Sequence, residues 1–294
     1  MTPLTFLLYV CFVVSCYSLN QLSFSGGGAF GAVEIGILKR VIEQGGRWYK
    51  PEYDLYTGIS AGALNAGFLS YYSDIRSGVK IGESIYSNLR SHMVYSIVPS
   101  TGVSVYNTQP LYKTLSEVID NMPGQPIVRT LIGATNMYSG NLDVYAFDDY
   151  ANDEDKVYLL MSSSAIPGLF PPIPFNDQLY ADGGTLSNEL LQPEYLGDYL
   201  NITYITPNEG YQYDNTPITS LKDMLVRTVK ILLTNFNNPV ALLYQGCKEP
   251  IGELNQYYVD SDLLEGYSML DFDKGQELVS IGYNNMKHKK YVLC

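Results

Sequence analysis

The chain has 294 residues, 46% of them hydrophobic, enough to bury a substantial core as one domain and too apolar for a disordered segment. With 18 basic against 30 acidic residues the formal net charge is -12, which argues against nucleic acid as a partner and against electrostatic capture by anionic membranes. Any lipid contact must then be mainly apolar, and some of the 27 tyrosines, each with a ring that buries and a hydroxyl that stays wet, suit such a surface.

The chain opens on an apolar run from Leu4 to Val14, followed by Ser15-Cys16-Tyr17-Ser18. This reads as a secretory signal peptide over residues 1–18, cleaved before Leu19, since a spanning helix needs ~20 apolar residues. An uncleaved membrane anchor is the alternative. The expectation is a secreted or endomembrane-lumen protein whose residues 19–294 form a single domain. Cys247 and Cys294 would remain, free to pair in an oxidising compartment or to stay buried thiols.

Gln21-Leu22-Ser23-Phe24-Ser25 alternates like a strand and runs into Gly26-Gly27-Gly28-Ala29-Phe30-Gly31. A helix follows, with Ile35, Leu38, Val41 and Ile42 at helical spacing and Gly45-Gly46 as its stop. Strand, glycine loop and helix make an anion-binding geometry, because unpaired N–H groups at the helix start face the loop. Gly26, Gly28 and Gly31 also fit the dinucleotide-binding spacing, and Glu52 and Asp54 lie near the distance of its ribose-binding acid, although at the start of the next strand and not at its end. Beside a serine nucleophile the same N–H groups would form an oxyanion hole.

The serine comes next. Leu55 and Tyr56 suit a buried strand, Ala61 to Leu69 suits a closely packed helix, and between them stands Gly58-Ile59-Ser60-Ala61-Gly62, the spacing of a nucleophile elbow. Glycine at both flanks lets so sharp a strand-to-helix turn close without a clash. Two amphipathic helices are then expected, one with Ile81, Ile85, Leu89 and Met93, the other capped by Asn107 or Thr108 with Pro110 in its first turn. The stretch from Val94 to Tyr106 between them is a packed loop or the rim of a lipid site. Residues 127–134 and 142–147 read as strands. The acids Asp148, Asp149, Asp153, Glu154 and Asp155 read as a solvated loop, since they lack the spacing of a calcium loop.

Further on, Leu179-Tyr180-Ala181 leads into Asp182-Gly183-Gly184, a carboxylate at a strand end with glycines that turn the chain away. A strand is expected from Tyr199 to Thr206, carrying the sequon Asn201-Ile202-Thr203, then a helix with Leu221, Leu225, Val229 and Leu232. The last helix runs over about 271–286, before a basic, solvated tail at Lys287, Lys289 and Lys290.

A serine nucleophile needs a base, and only His92 and His288 are available as imidazoles. Ser60, Asp182 and His288 follow the chain order of α/β-hydrolase triads. Yet His288 stands among lysines and His92 among apolar residues, so a carboxylate acting directly on the serine is the remaining option.

In motif and order the chain resembles the patatin-like phospholipases: Gly26 to Gly31 looks like their glycine-rich oxyanion motif, Gly58 to Gly62 like their elbow, and Asp182-Gly183-Gly184 like their catalytic aspartate motif. The likeness continues through Ser164-Ala165-Ile166-Pro167, Phe170-Pro171-Pro172, Asp271-Phe272 and Gly282-Tyr283. It implies a three-layer α/β/α sandwich with a mostly parallel sheet, a Ser60–Asp182 dyad, and an oxyanion hole from Gly26, Gly27, Gly28, Gly31 and Ala61. It implies Gly58, Gly62, Gly183 and Gly184 as structural glycines, no metal and no cofactor. The activity implied is hydrolysis of carboxylic esters in phospholipids through an acyl-serine, at a membrane or lipid-aggregate surface. A neutral-lipid lipase of the same mechanism is the near alternative; a nucleotide-binding or catalytically silent lipid-binding protein is the distant one. One departure is Phe30, where many members carry Arg, with headgroup preference or loop packing as the property at stake.

Overall fold

Five parallel strands form the centre of the molecule, in the order β3 (Arg129–Asn136), β2 (Leu55–Ile59), β1 (Leu19–Phe24), β7 (Tyr199–Asn208) and β8 (Gly252–Val259). The computed structural model describes residues 19–46, 51–97, 102–191, 199–208, 210, 217–235 and 252–293; the expected leader and all four cysteines lie outside the described residues. Leu22 and Phe24 of β1 enter the main core while Gln21 and Ser23 on its other face are equally buried, the pattern of a strand covered on both sides. The sheet is mixed, with nine strands and helices on both sides. β4 (Leu142–Ala146), β5 (Ile173–Phe175) and β6 (Gln178–Asp182) join antiparallel around β3, and β9 (Lys287–Leu293) joins antiparallel beside β8.

The order of the parallel strands reverses at β1, whose neighbours β2 and β7 lead outward in opposite directions. Such a switch point opens a crevice beyond the carboxyl ends of the strands, where ligands of open α/β sheets bind. The glycine loop follows β1 at this point, and Ser60 follows β2 beside it.

Helices α1 (Gly31–Gln44), α3 (Ile75–Asn88) and α7 (Gly275–Asn285) pack together. α1 and α7 approach so closely that a methyl group at Gly36 would strike Val279 O and one at Gly282 would strike Val33 O. α2 (Ala61–Leu69) lies against β1 and β2; α4 (Gln109–Asp120) packs on α5 (Asp153–Ser163), which in turn covers β3 and β5. α6 (Leu221–Asn235) rests on the turn at Gly183–Thr185. A smaller cluster of Leu191, Ile202, Tyr204, Leu254 and Leu293 fills under β7, β8 and β9.

Several sequence expectations change here. The acidic run is not one solvated loop: Asp148 and Asp149 pair with Arg129, and Asp153, Glu154 and Asp155 form the first turn of α5, where negative charge suits the helix dipole. The basic tail is β9, with Lys287 and Lys290 paired to Asp260 and Glu253. α3 starts earlier than the apolar spacing implied, because Asp74 accepts the Arg76 N–H as its cap, and it stops at Asn88. Thr108 stands at the N-cap of α4 without a side-chain bond, and Asn107 just before it accepts the Gln109 N–H. Asn201 lies in β7 between β1 and β8, so its sequon is held in a central strand.

Candidate active site

Ser60 occupies the single residue between β2 and α2, at φ 54° and ψ -123°. L-residues rarely adopt a positive φ, and a side chain held there is under strain that its surroundings must enforce. The surroundings do so by close contact. A methyl group at Gly58 would run into Gly62 O, and one at Gly62 into Ser25 O, so the elbow closes against both its own helix and the end of β1 only with glycine at these positions. The Ser60 N–H donates to Ser163 Oγ at 2.9 Å, and that hydroxyl donates onward to Gly133 O at 2.7 Å.

Asp182 reaches the same place from the opposite direction. β2 runs parallel to β3 and ends with Ile59 beside Gly133. β6 runs antiparallel to β3 and ends with Asp182 beside Ala134, the next residue. β4 occupies the other edge of β3 over Leu131–Thr135, so β2 and β6 share one edge and meet there end to end. The Asp182 backbone is fixed on both sides, its N–H donating to Ala165 O and its carbonyl accepting from Thr135 Oγ1, each at 2.9 Å. In the side chain, Oδ1 accepts the Gly184 N–H at 2.8 Å. Oδ2 is buried and closes no hydrogen bond of good geometry among the described residues, although the Ser60 hydroxyl stands near enough to ease the charge. Burial dominates and pushes the Asp182 carboxyl up to about 7, against the lowering by Ser60 and Gly184.

The glycine loop supplies the third component. A methyl group on Gly26 would lie 3.1 Å from Ser60 Cβ, which places the loop directly on the serine. Not every predicted donor is available. The Gly26 N–H donates to Asn188 O and Oδ1 at 3.1 and 3.0 Å, and the Gly31 N–H to Gly28 O and Ala29 O. Gly26 and Gly31 therefore act through the space they leave, correcting their assignment as oxyanion donors. Ala29 and Phe30 are likewise bonded, to Met269 O and Gly27 O. Among the described residues the N–H groups of Gly27 and Gly28 have no partner, and the Ala61 N–H, first in α2, has no carbonyl of its own helix to reach. Gly28, at φ 58°, takes a conformation that favours glycine. Phe30 is buried in the core, just before the start of α1.

Two rival readings lose their residues. Asp54 accepts the Asn20 N–H at 2.7 Å at the start of β1 and β2, the end of the sheet opposite the glycine loop, so it cannot hold the ribose of a dinucleotide there. His288 lies on β9, an edge strand separated from β2 by β8, β7 and β1, where it stacks on Tyr257 and bonds Asn255. His92 is exposed in a turn after α3, not packed as its apolar neighbours implied.

The patatin-like phospholipase pattern matches residues 22–193, more than half of the chain. The chain belongs to the patatin-like phospholipase family. As a patatin-like protein it is a lipid acyl hydrolase in the general sense. No curated protein matches its sequence. Among solved structures, VipD from Legionella pneumophila is similar over 92% of this chain and 68% of its own, with 14% identity and a TM-score of 0.45.

Three features of this patatin-like site were not foreseen from sequence. Ser163 is one of three consecutive serines, and no motif in the sequence singles it out. Asn188, six residues after Asp182, clamps Gly26 by accepting its N–H and by donating Nδ2 to its carbonyl at 3.1 Å. Beneath the loop, Glu34 Oε1 accepts from the Ser25 amide and hydroxyl and Oε2 accepts from Asn65, whose Oδ1 accepts from Tyr86. Burial pushes Glu34 well above the carboxylate range, with the Asn65 and Ser25 hydrogen bonds opposing it. Its sequence signal is faint: one acid between Val33 and Ile35 on an otherwise apolar helix face.

Proposed function

We propose that this protein hydrolyses carboxylic esters of phospholipids, as a phospholipase A or lysophospholipase, with Ser60 as nucleophile and Asp182 as its direct base. The observation that supports the reading is the end-to-end meeting of β2 and β6 on β3, with Ser60 following one strand end and Asp182 closing the other, next to a loop whose Gly27 and Gly28 N–H groups have no partner among the described residues. Asp182 accepts the hydroxyl proton as Ser60 attacks the acyl carbonyl. The N–H groups of Gly27, Gly28 and Ala61 stabilise the tetrahedral oxyanion, each such donor being worth ~3 kcal/mol. The lysolipid or alcohol departs with the proton, and water, deprotonated by the same carboxylate, releases the fatty acid. A carboxyl at about 7 is poised for both proton transfers near neutral pH.

The lipid surface, in this reading, meets α6. That helix rests on the turn after Asp182 and exposes Leu221, Met224, Ile231 and Leu232 along one stripe. Given the net charge of -12, the matching surface is zwitterionic or neutral. Export through residues 1–18 belongs to the same proposal and rests on sequence alone.

The test is turnover of a chromogenic short-chain ester and of a headgroup-resolved lipid panel by the wild type, Ser60→Ala and Asp182→Asn. The expected loss in both variants is at least about 10³-fold, with phosphatidylcholine or its lysolipid preferred to triacylglycerol. Equal turnover in all three proteins removes the enzyme reading, and preference for triacylglycerol replaces it with the neutral-lipid lipase.

A further inference from the structure

Three consecutive serines close α5, and their hydroxyls do different things. Ser162 Oγ donates to Tyr158 O at 2.8 Å and Ser164 Oγ to Leu160 O at 2.9 Å, each satisfying itself on its own helix four residues back. Ser163 Oγ leaves the helix. It donates to Gly133 O on β3 and accepts the Ser60 N–H, so one buried hydroxyl ties the elbow to the strand on which β2 and β6 meet. Two residues on, Ala165 O accepts the Asp182 N–H. Ser163 Oγ and Ala165 O thus hold the backbone amides of both reacting residues from one side.

We infer that Ser163 is a positioning residue: its hydroxyl holds the strained Ser60 backbone so that the nucleophile faces Asp182, and by engaging the Ser60 N–H it leaves Gly27, Gly28 and Ala61 as the oxyanion donors. This rests on the Ser60–Asp182 reading above. Without the hydroxyl, the Ser60 N–H and one lone pair of Gly133 O are left buried, and the hydrogen bond that opposes relaxation of a φ of 54° is lost. Ser163 touches neither the acyl group nor the proton in flight, so its loss falls on the rate of attack and not on lipid capture.

The experiment compares Ser163→Ala and Ser163→Thr with the controls Ser162→Ala and Ser164→Ala, using the full chain and a short-chain ester, alongside phosphonylation by a fluorophosphonate and thermal unfolding. Ser163→Ala is expected to lower kcat and the phosphonylation rate by about 10- to 100-fold with KM unchanged, the scale of a small misplacement of reacting groups. Ser163→Thr, which keeps the hydroxyl, recovers most of the rate, and both controls stay within about threefold of the wild type. Ser163→Cys, of similar shape but weaker hydrogen bonding, carries the same test if the alanine variant does not fold. Wild-type kcat and phosphonylation in a folded Ser163→Ala or Ser163→Cys, or equal losses at positions 162, 163 and 164, overturns the inference. Full activity in Ser60→Ala would instead overturn the reading on which it rests.

Discussion

Asp182 is only 3% exposed and, among the described residues, its carboxyl receives one firm hydrogen bond, from Gly184, so water does little to stabilise its charge. The same burial gives stability and activity opposite dependences on pH. Asp182 is raised to about 7 and Glu189 to about 8, and Glu34 is raised as well, burial leading in all three. A carboxyl raised in the folded state stabilises the fold fully below its unfolded value and loses that contribution as pH rises through its folded value. Thermal unfolding followed from pH 5 to 8.5 should therefore show a falling midpoint, while kcat/KM for a soluble ester rises with an acid limb near 7. Asp182→Asn removes one buried charge and is expected to be more stable than the wild type at pH 8 while nearly inactive; equal stability at that pH would contradict this account of Asp182. The residue scale also marks the limit of the sequence. Ser60 and Asp182 were legible because glycines betray the sharp turns around them. The occupied N–H groups of Gly26 and Gly31 were not, because occupancy of the first depends on Asn188, far along the chain, and of the second on how the loop itself folds.

At the scale of elements, helices with one polar and one apolar side were the easiest to place. α4 and α7 alternate polar and apolar sides and stood out. α5 did not, because Lys156, Val157, Leu159, Leu160, Met161, Ser162 and Ser163 are all buried and no apolar period survives. Lys156, fully enclosed, is accommodated by Asp153 at 2.8 Å and by the Gln125 side chain. β9 was missed for the opposite reason, since four successive exposed residues hide an edge strand whose partner is recognisable only in three dimensions. α6 follows the apolar spacing of Leu221, Leu225, Val229 and Leu232, and part of its apolar surface faces solvent, with Leu221 at 69% and Met224 at 52% exposure. If this stripe meets lipid, the double substitution Leu221→Asp and Met224→Asp should weaken sedimentation with phosphatidylcholine vesicles and lower activity on them about tenfold or more, at ~0.8 kcal/mol per buried methylene lost, while sparing a soluble short-chain ester. Equal losses on both substrates would show a folding defect and count against the surface.

Across the whole molecule, the decisive arrangement is a relation between strands that are far apart in sequence. The parallel core agrees with the alternating strand and helix order of the sequence, whereas the switch point beside β1 depends on which strands become neighbours. The antiparallel entry of β6 was not readable, since a five-residue strand ending in Asp-Gly-Gly looks the same in either direction. Yet that direction points Asp182 at Ser60, because a parallel β6 on the same edge would carry its carboxyl end away from the elbow. In the proposed mechanism the proton passes from Ser60 directly to Asp182. Its most direct test is the pH dependence of fluorophosphonate labelling, mapped by mass spectrometry. The expected result is an adduct on Ser60 alone, formed with a half-maximal rate near pH 7, unchanged in His288→Ala and slowed at least about 10²-fold in Asp182→Asn. Labelling of Asp182→Asn at the wild-type rate, or an adduct on another residue, would contradict it.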